Sequence, residues 1–258
     1  MADGTAGVGD ESSTGGSFGQ MLLAMLLAVI RSAVLGFSGL FAISLWASAL
    51  LVVFGRESLG PMQKLALSAL ALGLGTGTVA LIFMAGRGYG LSYLDFDLPN
   101  KRDLGYTSIG IIALFALQIA VVVVLTQVGV GTADHNIEQT ASQGNPQILL
   151  VLIPASWLII GPGEELLYRN IIQKSLYGPF SEYGAVVVAS VVFALAHIPA
   201  YAAGSTLVAT AGTLVVIFFL SLVLGYLYLA TGNVTVSALV HGTFDAILFA
   251  LMYLQFAG

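Results

Sequence analysis

The 258-residue chain reads as an all-α, polytopic transmembrane helical bundle of seven to eight spans. Three observations predict this class. Hydrophobic residues make up 58% of the chain and charged residues only 8%, too little polar surface to cover a water-soluble globule of this size. The mean hydropathy is +0.97. Apolar stretches of about 20 residues recur along the chain, separated by turn chemistry.

These stretches are placed near 33–54, 65–85, 106–127, 147–176, 183–202, 206–230 and 233–254. A shorter run from Gln20 to Ile30 ends at Arg31 and reads as an interfacial helix or as half of a longer, broken span. Residues 1–19 are small, polar and acidic without a basic leader, so they are expected to form a disordered acidic tail ahead of a transmembrane domain over 20–258. Gly73, Gly75 and Gly77 read as close-packing positions between helices.

Composition also excludes chemistry. The chain has no cysteine, which removes disulfides, thiol nucleophiles, thiolate metal sites and lipid attachment through sulfur. With eight Lys plus Arg and a net charge of −5 there is no basic stripe, so no nucleic-acid partner is expected; the expected partner is membrane lipid. With the N-terminus inside and seven spans, Arg87, Lys101, Arg102 and Lys174 fall on the cytoplasmic side and Arg56 and Lys64 outside. That tally puts the 174–182 connection, and with it the site, toward the cytoplasm.

Among the thirteen acids only Glu164, Glu165 and Asp245 fall within spans, together with His197 and His241. A charge at mid-span costs roughly 2.5–3.5 kcal/mol on insertion scales, so these groups must face one another or water. Glu165 and Arg169 are four apart, about 40° around a helix, in the favourable order for an ion pair. Glu164 lies about 100° from Glu165 and about 140° from Arg169, which leaves it the unattached carboxylate. Gly161-Pro162-Gly163 just before it is expected to break or kink the helix. His241 and Asp245 are also four apart, so the carboxylate can hold the imidazole tautomer. Inward-facing acids and imidazoles on three helices suit activation of water.

Glu-Glu-x-x-x-Arg (164–169), Phe-x-x-x-His (193–197) and His-x-x-x-Asp (241–245), in that order on successive apolar helices, resemble the three motifs of the CPBP family. These are intramembrane proteases that include the type II CAAX prenyl endopeptidases and the Abi proteins. The resemblance covers a motif-bearing core of about 147–254; the N-terminal half matches only in hydropathy. Asn170 stands where many members have glycine, Tyr168 where phenylalanine is common, and Asp245 where asparagine is frequent. The first two are expected to alter packing alone, whereas an ionised Asp245 cannot donate to an oxyanion as an amide can.

The resemblance implies peptide-bond hydrolysis at the membrane, on a substrate such as a prenylated CAAX-type chain. The partner would then be a peptide or protein substrate; Glu164 would be general base on water, His197 its partner, and His241 with Asp245 behind it would stabilise the oxyanion or take part in binding water, supported by Glu165, Arg169 and Phe193. It leaves open a divalent metal such as zinc on Glu164, His197 and His241, or a metal-free mechanism; no H-E-x-x-H helix occurs. Two other readings remain: an ion-coupled transporter relaying protons through these groups, and a catalytically silent scaffold or immunity factor.

Overall fold

The structure is a computed structural model and describes residues 12–257; residues 1–11, most of the expected acidic tail, lie outside it. The first helix, α1 (Ser12–Phe54), already begins within that tail. It is followed by α2 (Pro61–Arg87), α3 (Lys101–Gln127), the short α4 (Asn136–Ser142) and the central α5 (Ile148–Leu176). Then come α6 (Glu182–Ala196), the single turn α7 (Ile198–Tyr201), α8 (Leu207–Thr231) and α9 (Val234–Ala257). The bundle is all-α among the described residues.

Six of these helices, α1, α2, α3, α5, α8 and α9, are long and apolar enough to cross a membrane, fewer than the seven to eight expected. Two local events account for the difference. No Gly or Pro separates the run 20–30 from 33–54, so they fuse into one helix, with Ser32 Oγ bonded back to Ala28 O at 2.9 Å. The stretch expected at 183–202 stops at Ala196, because Pro199 disfavours continuing the helix. Its 15 residues reach about 22 Å, short of a bilayer core of about 30 Å. The early stop leaves His197 at a helix end within the bundle.

Sequence chemistry marks the other boundaries. Asn100 caps α3, accepting from Arg102 N and Asp103 N, while the Asp103 side chain returns a bond to Asn100 N. Ser181 and Thr206 cap α6 and α8. Gly232, at φ +64°, ends α8 in the left-handed region and allows the tight turn into α9.

Three apolar clusters hold the helices, the smallest of them, Ala141 with Ile148, Leu149 and Leu152, joining α4 to α5. Leu167, Ile171, Ile172, Val192 and Phe193 join α5 to α6 and pack against α1 and α2. Leu114, Leu224, Leu227, Val240 and Phe244 join α3, α8 and α9. Gly73 and Gly75 are close-packing positions as expected, against Ile159 and the backbone of Ile43; Gly77 has no neighbour there.

The α5–α9 crossing matters most for the site. A Cβ on Gly242 would lie 2.5 Å from Ser156 O, and one on Gly161 would lie 2.7 Å from Ala238 O. These obstacles are backbone atoms, which cannot rotate away. Gly242→Ala should therefore force the helices apart and destabilise the fold by about 1–3 kcal/mol, read as a lower unfolding temperature in nanodiscs. An unchanged unfolding temperature would show that the crossing is looser than this.

Candidate active site

Glu164 and Glu165 sit near the middle of α5, and of the expected break or kink at Gly161-Pro162-Gly163 the break does not occur, since the chain stays helical through it. Pro162 is absorbed instead by a π turn over Ser156–Ile160, in which the Gly161 N–H bonds to Ser156 O five residues back. Pro162 then begins the next α turn, with right-handed helical dihedrals on both sides. A second π stretch, Leu166–Gln173, carries the arginine. Such widened turns re-aim side chains without ending a helix.

Glu165 is wholly buried and pairs with Arg169, Oε2 to Nε 3.0 Å. Arg169 is equally buried, donates to Ser221 Oγ on α8 at 3.0 Å, and lies over the Phe193 ring at 5.1 Å. The other Glu165 oxygen, Oε1, meets His241 Nδ1 at 3.1 Å. Glu165 thus joins arginine and histidine, and ties α5 to α9.

Glu164 takes no part in that bridge. Its Oε2 faces His197 Nε2 at 3.9 Å and His241 Nε2 at 3.8 Å. This oxygen is buried and makes no hydrogen bond. His197 shares Nδ1 with Phe193 O at 2.8 Å, an arrangement in which Nδ1–H donates and Nε2 faces the carboxylate as an acceptor. His241 Nε2 also lies 3.4 Å from Asp245 Oδ2. Both nitrogens of His241 therefore face carboxylate oxygens, so a proton on either has an acceptor. The Phe193 ring packs against His197 at 4.5 Å and His241 at 5.9 Å, fixing both imidazoles.

The structure thus brings Glu164, His197, His241 and Asp245 together, with Glu165, Arg169 and Phe193 behind them. Glu164, Phe193, His197, His241 and Asp245 line a cavity of about 610 Å³. Glu164, His197 and His241, the candidate metal ligands, do converge, with Glu164 Oε2 between the two Nε2 atoms, although no group of three or more His, Asp or Glu among the described residues is drawn together tightly enough to hold an ion as it stands.

The mouth was not legible in the sequence. It is formed by residues 132–138 and 196–201, held together by Asn136 Nδ2 donating to Pro199 O at 3.1 Å and Gln139 Nε2 to Ala203 O at 3.2 Å. His135 Nδ1 accepts from Ile137 N, and its ring meets Tyr201 edge-on at 4.9 Å. Burial, with His197 nearby, lowers the His135 pKa to about 4 and keeps the ring neutral near pH 7.

At the opposite end, Asp95 from the α2–α3 connection is held by Lys174 Nζ at 2.7 Å, by Asn170 Nδ2 at 3.0 Å and by the Tyr228 hydroxyl. Asn170, expected only to alter packing, is a buried link in this network. Tyr168 does pack, edge-on against Phe193 at 4.9 Å. Lys174 and Arg102, which reaches Ala230 O, mark this as the basic end of the bundle. At the other end the cavity reaches the 132–138 connection, where its lining residues Thr132 and Asp134 are exposed.

Fold and site define a class: a multi-pass membrane protein with an acid–imidazole centre buried among its helices. Residues 146–247, about two-fifths of the chain and all three motifs, match the family model described as Type II CAAX prenyl endopeptidase Rce1-like. The family match and the motif resemblance agree on the CPBP intramembrane proteases, and they support a CAAX-type intramembrane protease in general. No curated protein and no solved structure matches the chain.

Proposed function

We propose that this protein is an intramembrane endopeptidase in which Glu164 activates water to hydrolyse a peptide bond of a membrane-associated substrate. The observation that carries the reading is the Glu164 Oε2 atom, buried, without a hydrogen bond, and facing two imidazole Nε2 atoms at 3.9 and 3.8 Å. A water bonded to two such atoms at about 2.8 Å each spans that separation at an angle near 90°.

Glu164 takes a proton from the water as its oxygen attacks the scissile carbonyl, while His197 orients the water through Nε2. An N–H on His241 Nε2 donates to the oxyanion. Glu165 holds the far side of that ring at Nδ1, and Asp245 accepts from Nε2 when no oxyanion is present. Collapse of the tetrahedral adduct passes the proton from Glu164 to the leaving amine, and the C–N bond breaks. Every step uses the chain's own groups.

The cavity suits an extended segment, since most of its wall is apolar and its polar groups converge at one place. The test is whether the purified protein, reconstituted with membrane-tethered peptides, generates new termini. Proton-coupled uptake of a solute without any product would favour the transporter instead.

A further inference from the structure

Hydrolysis needs the chain to be held as well as cut, and the polar groups of the cavity wall divide by whether they are free to hold it. Thr76 Oγ1 donates to Leu72 O at 2.9 Å, Thr213 Oγ1 accepts from Ala133 N at 2.8 Å, and His197 Nδ1 is engaged by Phe193 O. Two neutral side chains lining the same cavity keep a free donor, Gln118 and His135. Gln118 forms no hydrogen bond with any described residue. It stands on α3, nine residues before the helix end at Gln127 and about 14 Å inside along the axis, a depth at which a side-chain amide ordinarily bonds across to another helix. Leu114, one turn earlier, shares a cluster with Phe244, and Phe115 meets the same ring at 4.8 Å. Phe244 precedes Asp245, so Gln118 lies about one turn from Asp245, on the side of the mouth.

His135 keeps its donor by a different route. Its Nδ1 accepts from Ile137 N at 3.0 Å as the cap of α4, so that nitrogen carries no proton, and the neutral ring then holds its proton on Nε2. Nε2 has no hydrogen-bond partner among the described residues, and the ring is fixed edge-on to Tyr201 at 4.9 Å. From mouth to site the order is thus His135, Gln118, then Asp245 and Glu164, in a wall otherwise made largely of side chains such as Leu65, Leu220 and Met252. An extended peptide carries a carbonyl and an N–H at almost every residue, and beside such a wall each needs a partner. A primary amide offers donor and acceptor side by side, the complement of a peptide group. We propose that Gln118 and His135 bind the substrate backbone: the Gln118 amide pairs with a peptide group of the entering chain, and His135 Nε2–H donates to a backbone carbonyl nearer the mouth. This rests on the protease reading, which supplies the chain to be held.

The experiment gives full-length protein in phosphatidylcholine nanodiscs a fluorescent, lipid-anchored peptide with one apolar segment, and a second probe N-methylated along that segment. Gln118→Leu and His135→Asn should each raise KM for the plain peptide about five- to tenfold and leave kcat within about twofold, as for a hydrogen bond made equally in ground and transition states. Neither should lower the unfolding temperature: leucine removes an unpaired amide, and asparagine still caps α4 through Oδ1 while lacking the Nε2 donor. His135→Gln, whose amide nitrogen extends to the Nε2 position, should bring KM back near wild type. The N-methylated probe should bind more weakly and respond less than about threefold to Gln118→Leu. Unchanged KM in both variants, a rise in KM matched by a lower unfolding temperature, or an undiminished response of the N-methylated probe would overturn the inference. Dissociation constants measured with each substitution combined with Glu164→Ala separate it from the protease reading. Weaker binding by the combined variants, with no cleavage by wild-type protein, defeats the protease reading and leaves the contacts; cleavage by wild-type protein with unchanged constants does the reverse.

Discussion

Glu164→Gln is expected to lower peptide cleavage by about 10²–10⁴-fold, the range a positioned general base contributes, while leaving the protein folded. The amide keeps the size of the carboxylate but cannot take a proton from water. The fold should tolerate it because the Glu164 Oε2 atom makes no hydrogen bond and the ion pair belongs to Glu165. Measured kcat should fall while KM moves little, since the group acts on water and not on substrate binding. Activity within a few fold of wild type would remove Glu164 from the mechanism.

Arg169→Ala is expected to have the largest effect on stability. It would leave the wholly buried Glu165 carboxylate without its ion-pair partner, a change that typically destabilises by about 3–5 kcal/mol. Activity should fall as well, because Glu165 Oε1 orients His241 through Nδ1. Arg169→Lys should recover only part of the loss, since one ammonium cannot reproduce the guanidinium's bonds to Glu165 and Ser221. Thermal unfolding in nanodiscs, beside cleavage rates, checks both. A stable, fully active alanine variant would mean that the pair neither holds the helix nor sets the histidine.

What the sequence could reveal followed from helical spacing. Glu165 with Arg169 and His241 with Asp245 are each four apart, and each pair meets, at 3.0 and 3.4 Å. The same angular argument separated Glu164 from the arginine. What it could not reveal depends on how helices cross. The Glu165–His241 contact needs α5 and α9 to touch at Gly161 and Gly242, two residues whose missing side chains carry no signal until a partner is known. Ser221 looked like any small residue in a span, yet it receives the arginine.

The expected break at Pro162 assumed an ideal α-helix. A π turn accommodates the missing N–H, and right-handed helical dihedrals continue on either side. Span counting erred for a related reason. Hydropathy sees apolar length and not helix ends, so it extended α6 past His197 to 202, where Pro199 allows only the separate turn α7. The mouth residues His135 and Glu138 lie in a connection that reads as ordinary polar loop, and only the fold brings them to the cavity.

The central claim, that a membrane-buried carboxylate directs water onto a peptide bond, is tested most directly by mass spectrometry of reconstituted protein and membrane-tethered peptides in ¹⁸O-water. Wild-type protein should release a product whose new carboxyl terminus carries the heavy isotope, and Glu164→Gln should release essentially none. Intact peptide from folded wild-type protein, or labelled product formed equally well by both, would contradict the account.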